Sequence, residues 1–373
     1  MLDFDSLKKT YGNFSRPVSV IKVDGKDISK DKLGFAISDI QVELTSGFEA
    51  SIASFSLYNT FDRDLTGFIT EDVQKYITLG STVQIFMGYG TSAREVFYGI
   101  IMRVNFNYHQ MDAPCIIVTA MDVKGAMMAN CSFKQFTGDM KYSLAVKKIL
   151  EQPFYESYLN GGLKITETPE NTDENPSAYT LEMNCESDYE FVVKAAKKFN
   201  YEFYTIGGTV YFRKAKENKN PLIAISPETL LQSFDVTYDI SGLVGSVEVR
   251  NENPGEAKPF ASTSKMNNKI SQKSKAKKII SSQKKVYIDP TADNKTTAQY
   301  RSEYLAERVA YRFGSLKAEM VGLPEIIPGC FIELSSLGTT VSNQFYLTRV
   351  RHTQMGETGK FRTVLEGRSA TIK

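Results

Sequence analysis

The sequence predicts a mainly β protein with an α+β insertion, in which two similar small antiparallel β-barrel domains flank an α/β domain. Three observations favour this fold class. The outer thirds carry the period-two pattern of half-buried strands, the middle third carries a helix followed by a hairpin, and the two outer thirds resemble each other in strand order. With 373 residues, the chain exceeds one average domain. We place the domains at 1–130, 131–218 and 219–373.

The first third is predicted to be a set of antiparallel strands. Ala53, Phe55 and Leu57 alternate with serines, which is the pattern of a strand with one buried face. Glycines mark the bends between strands. Further strand candidates are residues 83–87, 95–106 and 115–120.

The middle third begins with a helix predicted over 141–152, with Leu144, Ala145 and Ile149 on its apolar face. The acidic residues 166–177 are predicted to form a loop. A second helix follows the capping box in which Ser187 is the N-cap and Glu190 reaches back.

A hairpin is predicted directly after this second helix. Gly207 and Gly208 separate two runs of aromatic and β-branched residues, and two such glycines favour a primed β-turn. The middle third is therefore predicted to be α+β.

The last third returns to strands and contains one helix over 298–313, ended by Gly314. The polar residues 254–298 are rich in Ser, Lys, Asn and Gln, and we predict a long insertion loop that is at least partly disordered. The predicted strands cover residues 233–238, 246–250, 330–334, 344–352 and 361–366.

An internal repeat is predicted from the order of strands. Residues 38–44 precede a strand ending in Asn59, and residues 233–238 precede a strand ending in Asn251. Gly80 lies 18 positions before Tyr98, and Gly329 lies 17 positions before Tyr346. Two similar barrels in each chain would allow three chains to present six barrels in one ring.

The same residues carry a resemblance to a known family. The chain resembles the late-control D family of phage tail proteins, which is related to the hub region of type VI secretion (VgrG) spike proteins. The resemblance covers nearly the whole chain and depends on the order and spacing of its motifs. Those motifs are residues 186–191, 199–204, 207–213, 246–250, 328–329, 345–352 and 363–368.

The resemblance implies a structural role. It implies a homotrimeric central hub, an adaptor between the sixfold tail tube and the threefold spike, with tube, spike and baseplate proteins as partners. Such a protein is made in the bacterial cytoplasm and assembled into a virion or tailocin baseplate. Because the sequence ends at Lys373, directly after the predicted second barrel, the spike is expected to be a separate protein.

Composition excludes several classes of protein. A net charge of +2 does not favour binding of nucleic acid by bulk attraction. No apolar run is long enough to predict a membrane span. The four cysteines form no CxxC pair, so no zinc site is predicted. They are Cys115, Cys131, Cys185 and Cys330.

Catalytic residues, cofactors and metal ligands are not predicted either, and we expect that the protein is not an enzyme. His109 and His352 are the two histidines, too few for multi-histidine metal sites, and His352 is expected to be structural. No GxSxG, HExxH or phosphate-loop motif is present. A cluster of acids is expected to lie in a solvated loop rather than to form a glycosidase pair. It comprises Glu167, Glu170, Asp173 and Glu174.

A basic cluster within the predicted insertion loop is the candidate for contact with a partner. Its alternatives are a solvated mobile loop, contact with an acidic protein surface, and contact with nucleic acid. The cluster comprises Lys273, Lys275, Lys277, Lys278, Lys284 and Lys285. At the level of the whole chain, the alternatives to a hub are a tail-tip cell-wall hydrolase and a carbohydrate- or receptor-binding module.

Overall fold

The computed structural model describes residues 1–29, 34–64, 66–136, 141–169, 181–253, 258–266, 275–292, 294–356 and 359–372. The strands are β1 (Pro17–Val23), β2 (Lys26–Asp27), β3 (Ala36–Thr45), β4 (Ile52–Tyr58), β5 (Phe61–Asp62), β6 (Gly67–Phe68), β7 (Thr82–Tyr89), β8 (Ser92–Asn107), β9 (Cys115–Met121), β10 (Cys131–Phe136), β11 (Gly162–Ile165), β12 (Leu181–Ser187), β13 (Tyr201–Ile206), β14 (Thr209–Lys214), β15 (Pro221–Ile225), β16 (Leu231–Tyr238), β17 (Ser246–Asn253), β18 (Lys258–Lys265), β19 (Lys284–Ile288), β20 (Gly314–Val321), β21 (Phe331–Leu334), β22 (Gln344–Gln354) and β23 (Phe361–Ser369). The helices are α1 (Phe4–Thr10), α2 (Thr70–Gln74), α3 (Val123–Met127), α4 (Tyr142–Leu150), α5 (Pro153–Glu156), α6 (Asp188–Phe199), α7 (Lys275–Ser281) and α8 (Lys295–Ala310), with a 3-10 turn at Gly12–Phe14.

One large sheet organises the molecule. Its main path runs β16-β20-β23-β22-β3-β4-β9-β8-β7-β1-β2, and β21 and β15 branch from β22. Strands from the first and last thirds therefore lie in one sheet, joined where β22 pairs with β3. Among the described residues the path has two ends, at β16 and β2, so the sheet does not close within one chain.

The two halves of the sheet repeat the same strand order. The path β3-β4-β9-β8-β7-β1 in the first half corresponds to β16-β20-β23-β22-β21-β15 in the second. The first four pairings of each path are antiparallel in both halves. They differ at the last pairing, because β1 is antiparallel to β7 whereas β15 is parallel to β21. The predicted duplication is thus present as two similar sheets.

The two halves of the sheet also have β-bulges at equivalent positions. The β8–β9 ladder shifts register between Ile101 and Arg103, and the β22–β23 ladder shifts between Leu347 and Arg349. Gly80 donates to the carbonyl of Ile101 at 2.9 Å, and Gly329 donates to that of Leu347 at 2.9 Å. Both glycines have a positive φ, which a glycine adopts without strain. β-Bulges are built features of a strand, so a bulge at the same place indicates the same local structure.

Two details of the predicted repeat are wrong. The strand ending near Asn251, β17, is not the counterpart of β4; that place belongs to β20, which no sequence pattern had indicated. Tyr346 corresponds to Ile100 rather than to Tyr98. Tyr346 pairs with Phe331, the first residue of β21, and Ile100 pairs with Thr82, the first residue of β7. The similar spacing from glycine to tyrosine therefore does not reflect the structural repeat.

The described residues of the segment predicted to be an insertion loop mostly lie in strands and helices. β18, α7, β19 and the start of α8 lie within residues 254–298, and β18 and β19 pair with the two edges of β17. This accessory layer has its own core, to which Val247, Val249 and Leu305 contribute. The prediction failed because short strands rich in Lys and Ser bury only one face, against α8.

The middle elements form small sheets around α6. Ser187 and Glu190 form the predicted capping box, with Glu190 N donating to Ser187 Oγ at 3.1 Å. β13 and β14 form the predicted hairpin, and both Gly207 and Gly208 have a positive φ. Leu144 does not lie on the buried face of α4, because 44% of it is exposed. No helix among the described residues is long and apolar enough to cross a membrane.

Candidate assembly surface

The junction between β22 and β3 is the place where the two repeated sheets meet. The strands are antiparallel, with Arg349 opposite Thr45 and Gln354 opposite Ile40. Arg351 Nη2 lies 2.7 Å from Glu43 Oε2, and Arg349 Nε lies 3.3 Å from Glu43 Oε1. These ion pairs lie on the more exposed face of the junction, so each contributes at most about 1 kcal/mol.

The opposite face of the junction is buried. Val42, Leu44, Val350 and His352 are all at most 1% exposed and pack in or beside the main core. His352 Nε2 lies 3.1 Å from the carbonyl oxygen of Ile326, so this nitrogen carries the proton. Burial lowers the pKa of His352 from 6.5 to about 4. The imidazole is therefore a neutral structural group, as the sequence predicts.

A buried ion pair holds the loop that follows β3. Lys124 Nζ lies 3.8 Å from Asp122 Oδ2 and donates to the carbonyl oxygens of Gly47 and Glu49. Asp122 Oδ2 accepts the backbone N–H of Ser51 at 3.0 Å. Burial raises the pKa of Asp122 and lowers that of Lys124, because each charge has lost its water. The pair fixes the end of β3 next to the junction.

The middle elements are anchored on the start of β22. Tyr346 donates to Glu202 Oε1, and Arg213 donates to the carbonyl oxygen of Gly329. Burial raises the pKa of the Glu202 carboxyl. An added Cβ at Gly329 would lie 2.7 Å from the hydroxyl of Tyr204. The β13–β14 hairpin therefore approaches the bend before β21 so closely that residue 329 must be glycine.

A cleft of about 650 Å³ lies above the junction, between β13 and α8. Several aromatic rings line it, as a carbohydrate site would require. However, Lys216 Nζ lies 4.7 Å from the ring centroid of Tyr311 and 5.0 Å from that of Tyr346. The chain's own ammonium group therefore covers one face of each of these two rings, and that face is not open for stacking on a sugar.

The two strands equivalent to the junction strands have free edges. β16 pairs only with β20, and beyond Ile101 the edge of β8 opposite β9 has no ladder partner among the described residues. Three large apolar side chains near these edges are exposed: Phe106 by 47%, Tyr108 by 58% and Phe234 by 40%. Unpaired strand edges with exposed apolar groups are surfaces on which another strand can add.

The basic cluster lies elsewhere, on the accessory layer. Lys275, Lys277 and Lys278 are exposed on α7, and Lys284 and Lys285 are exposed on β19; Lys273 lies outside the described residues. Lys284 and Arg250 both contact Glu248, and these contacts lower the pKa of Glu248 to about 2. The cluster is thus partly neutralised within its own layer, and its role in binding a partner stays a prediction.

The other candidate chemistry does not assemble into a site. Glu167 is exposed and lies 2.9 Å from Lys141 Nζ, while Glu170, Asp173 and Glu174 fall outside the described residues. Over the ranges that the structure describes, no three metal-binding side chains cluster. Sequence reasoning missed the free edges because β20, which completes the second sheet, was not predicted.

Two solved structures similar to this chain are tail proteins. A tail protein from Neisseria meningitidis MC58 has a TM-score of 0.65 and 11% identity, over 95% of this chain and 97% of that chain. The 43 kDa tail protein of prophage MuSo2 from Shewanella oneidensis has a TM-score of 0.65 and 10% identity, over 95% and 98%. At these identities the likeness establishes the fold alone.

A third similar structure comes from a secretion machine. The E. coli c3393 protein is described as a component of the type VI secretion system with structural similarity to the T4 bacteriophage tail proteins gp27 and gp5. It has a TM-score of 0.56 and 10% identity, over 93% of this chain and 76% of that chain. No curated protein matches the chain in sequence.

The chain therefore has a fold of the phage-tail type. Residues 18–356 match the family described as the Alg8 N-terminal domain, and the chain belongs to that family. This description names a domain and states no activity. The resemblance to the late-control D family stays a prediction.

Proposed function

We propose that the chain is a structural subunit of a phage-type tail, acting as a trimeric hub that joins the sixfold tube to the threefold spike. The observation that carries this proposal is the presence of two similar sheets, joined edge to edge, in one chain. Three such chains present six similar units, so a threefold ring offers a sixfold face. Each unit is expected to curve into a small barrel within that ring.

The proposed role is mechanical and not enzymatic. Its partners are the tube, spike and baseplate proteins of the same particle, whether a phage, a tailocin or another injection machine. The neutral buried state of His352 supports this role, because a fully buried imidazole has no access to a substrate. A hydrolase would need a positioned acid and base, whereas Glu167, the described member of the acidic cluster, is exposed and paired with Lys141.

Light scattering of the purified chain over a range of concentrations tests this proposal. We expect a mass of three chains, or a trimer that forms when tube and spike proteins are added. A chain that stays monomeric both alone and with these partners contradicts the hub. Turnover of purified peptidoglycan by the isolated chain would support the hydrolase instead.

A further inference from the structure

The junction between β22 and β3 provides a template for a second contact. Each of its strands has a counterpart in the other sheet: β8 corresponds to β22, and β16 corresponds to β3. Within one chain the template strands are paired, whereas their counterparts carry the free edges described above. We propose that β8, beyond its bulge, pairs with β16 of a second copy of this chain in the register of β22 with β3. This inference rests on the proposed trimer.

The register follows from the ladders of the two sheets. The matching bulges place Arg103 of β8 at the position of Arg349 of β22. β9 pairs with β4 in the first half, and β23 pairs with β20 in the second. When these equivalent pairings are continued to β3 and β16, Thr237 of β16 takes the position of Glu43 of β3. The template then pairs residues of β8 with residues of the neighbouring copy's β16. Three of these pairs are Arg103 with Asp239, Asn105 with Thr237, and Phe106 with Val236.

The side chains on the two edges agree with this register. Phe106 and Val236 take the positions of His352 and Val42, which lie on the buried face of the template. Their pairing buries the exposed ring of Phe106 against a β-branched partner. On the opposite face, Arg103 meets Asp239 at the Arg349–Thr45 position, two residues from the Arg351–Glu43 ion pair of the template. A shift of one residue would turn the apolar groups to the wrong face.

The backbone groups also point in the required direction. In the template, Ser46 donates to the carbonyl oxygen of Thr348 at 3.0 Å. In β16, Asp239 donates to Phe313 of the β20 side at 2.8 Å. Because hydrogen-bonding groups alternate along an antiparallel strand, Val236 and Tyr238 direct theirs away from β20, toward the free edge. These are the positions that donate and accept in the template.

These observations favour a second copy of this chain as the binding partner. Each chain carries both strands of the contact, β8 and β16, and they lie far apart in the same sheet. β16 is one end of the main path, and β8 lies further along it with six strands between them. Repeating the contact joins chains head to tail through one kind of surface, and closed rings are the common outcome. An unrelated strand would lack the matched register and the matched charges.

Cysteine cross-linking of the full-length chain tests the register. Asn105 and Thr237 are a pair without direct backbone hydrogen bonds, and such pairs have the closest side chains. We would replace both by cysteine after changing the exposed Cys131 and Cys185 to serine. Six strands separate these positions within one chain, so a bond between them forms only between copies.

Mild oxidation is expected to give a covalent closed trimer that migrates as three chains without reductant. The matched control is Asn105→Cys with Asp235→Cys, which lies on the same face but two residues out of register, and its yield should be at least several-fold lower. Equal yields from both pairs, or a trimer by mass with no cross-link, overturn this register while leaving the hub intact. A chain that never associates overturns both proposals.

Discussion

At the scale of single residues, His352 is a buried histidine whose protonation is coupled to folding. It lies in β22, opposite Val42 across the junction, and it is fully buried. Its ring donates to Ile326 and contacts Thr363 Oγ1 at 2.9 Å. A charged imidazolium at this place would lose its hydration, and burial therefore disfavours the protonated form.

We therefore expect the chain to lose stability as this histidine becomes protonated. Burial lowers the pKa of His352 from 6.5 to about 4, so the unfolded chain binds this proton at a higher pH than the folded chain does. The contribution is full above pH 6.5 and falls as the pH drops toward 4, by up to about 3 kcal/mol at 1.36 kcal/mol per pKa unit. Urea unfolding of the wild type and of His352→Gln between pH 7 and 4.5 isolates this slope.

His109→Gln is the matched control, because His109 is exposed. It should keep the pH dependence of the wild type. If the wild type and His352→Gln lose free energy of unfolding equally as the pH falls, the imidazole is not held neutral by burial.

At the scale of elements, the repeated hairpins offer a comparison within one molecule. Gly80 and Gly329 begin equivalent strands with φ of +88° and +81°. An added Cβ at Gly80 meets nothing within 4 Å, whereas at Gly329 it meets Tyr204. Tyr204 is 2% exposed and stacks on Tyr211 at 5.0 Å, so it cannot move aside freely.

Gly329→Ala is therefore expected to destabilise the chain more than Gly80→Ala. Both variants have the same backbone strain of about 1 to 2 kcal/mol for a side chain in this conformation. Overpacking against Tyr204 adds roughly 1 to 3 kcal/mol at Gly329 alone. Chemical denaturation of the two variants measures the difference directly. Equal losses would show that the middle elements do not constrain this bend.

Much of the secondary structure could be predicted from local patterns. The capping box at Ser187 and the Gly207-Gly208 turn depend on neighbours in the chain, and both formed as expected. β20 was missed because its partners, β16 and β23, lie far away in sequence or beyond several other elements, so no local pattern indicated their pairing. The accessory layer was missed because its polar strands become stable only against α8.

The candidate surface was beyond sequence reasoning for a related reason. An exposed Phe106 and a buried Phe55 look alike in a strand pattern, and only the three-dimensional sheet shows which edge is unpaired. The repeat was visible in sequence, but its register was not. The matching bulges at Met102 and Thr348 supplied it.

At the scale of the whole molecule, the large sheet formed by the described residues is open, and each of its two halves has a strand with an unpaired edge. Such an edge is a hazard for a protein that works alone, because it recruits other strands without control. It is an asset for a subunit whose two edges fit each other. In a ring of three chains, the same kind of contact would then occur three times inside chains and three times between them.

Proline substitution separates the proposed edge contact from the fold itself. The N–H of Val236 points away from β20, whereas alternation directs that of Thr237 toward Ser315 of β20. A proline removes the N–H and is tolerated at edges that face solvent. Val236→Pro is therefore expected to leave a folded monomer that no longer forms trimers, measured by circular dichroism and light scattering. Thr237→Pro, one residue away, is expected to destabilise the chain itself by about 1 to 3 kcal/mol, because it removes a ladder hydrogen bond and leaves an acceptor of β20 unpaired. A Val236→Pro protein that still forms trimers would place the contact on a surface other than the β16 edge.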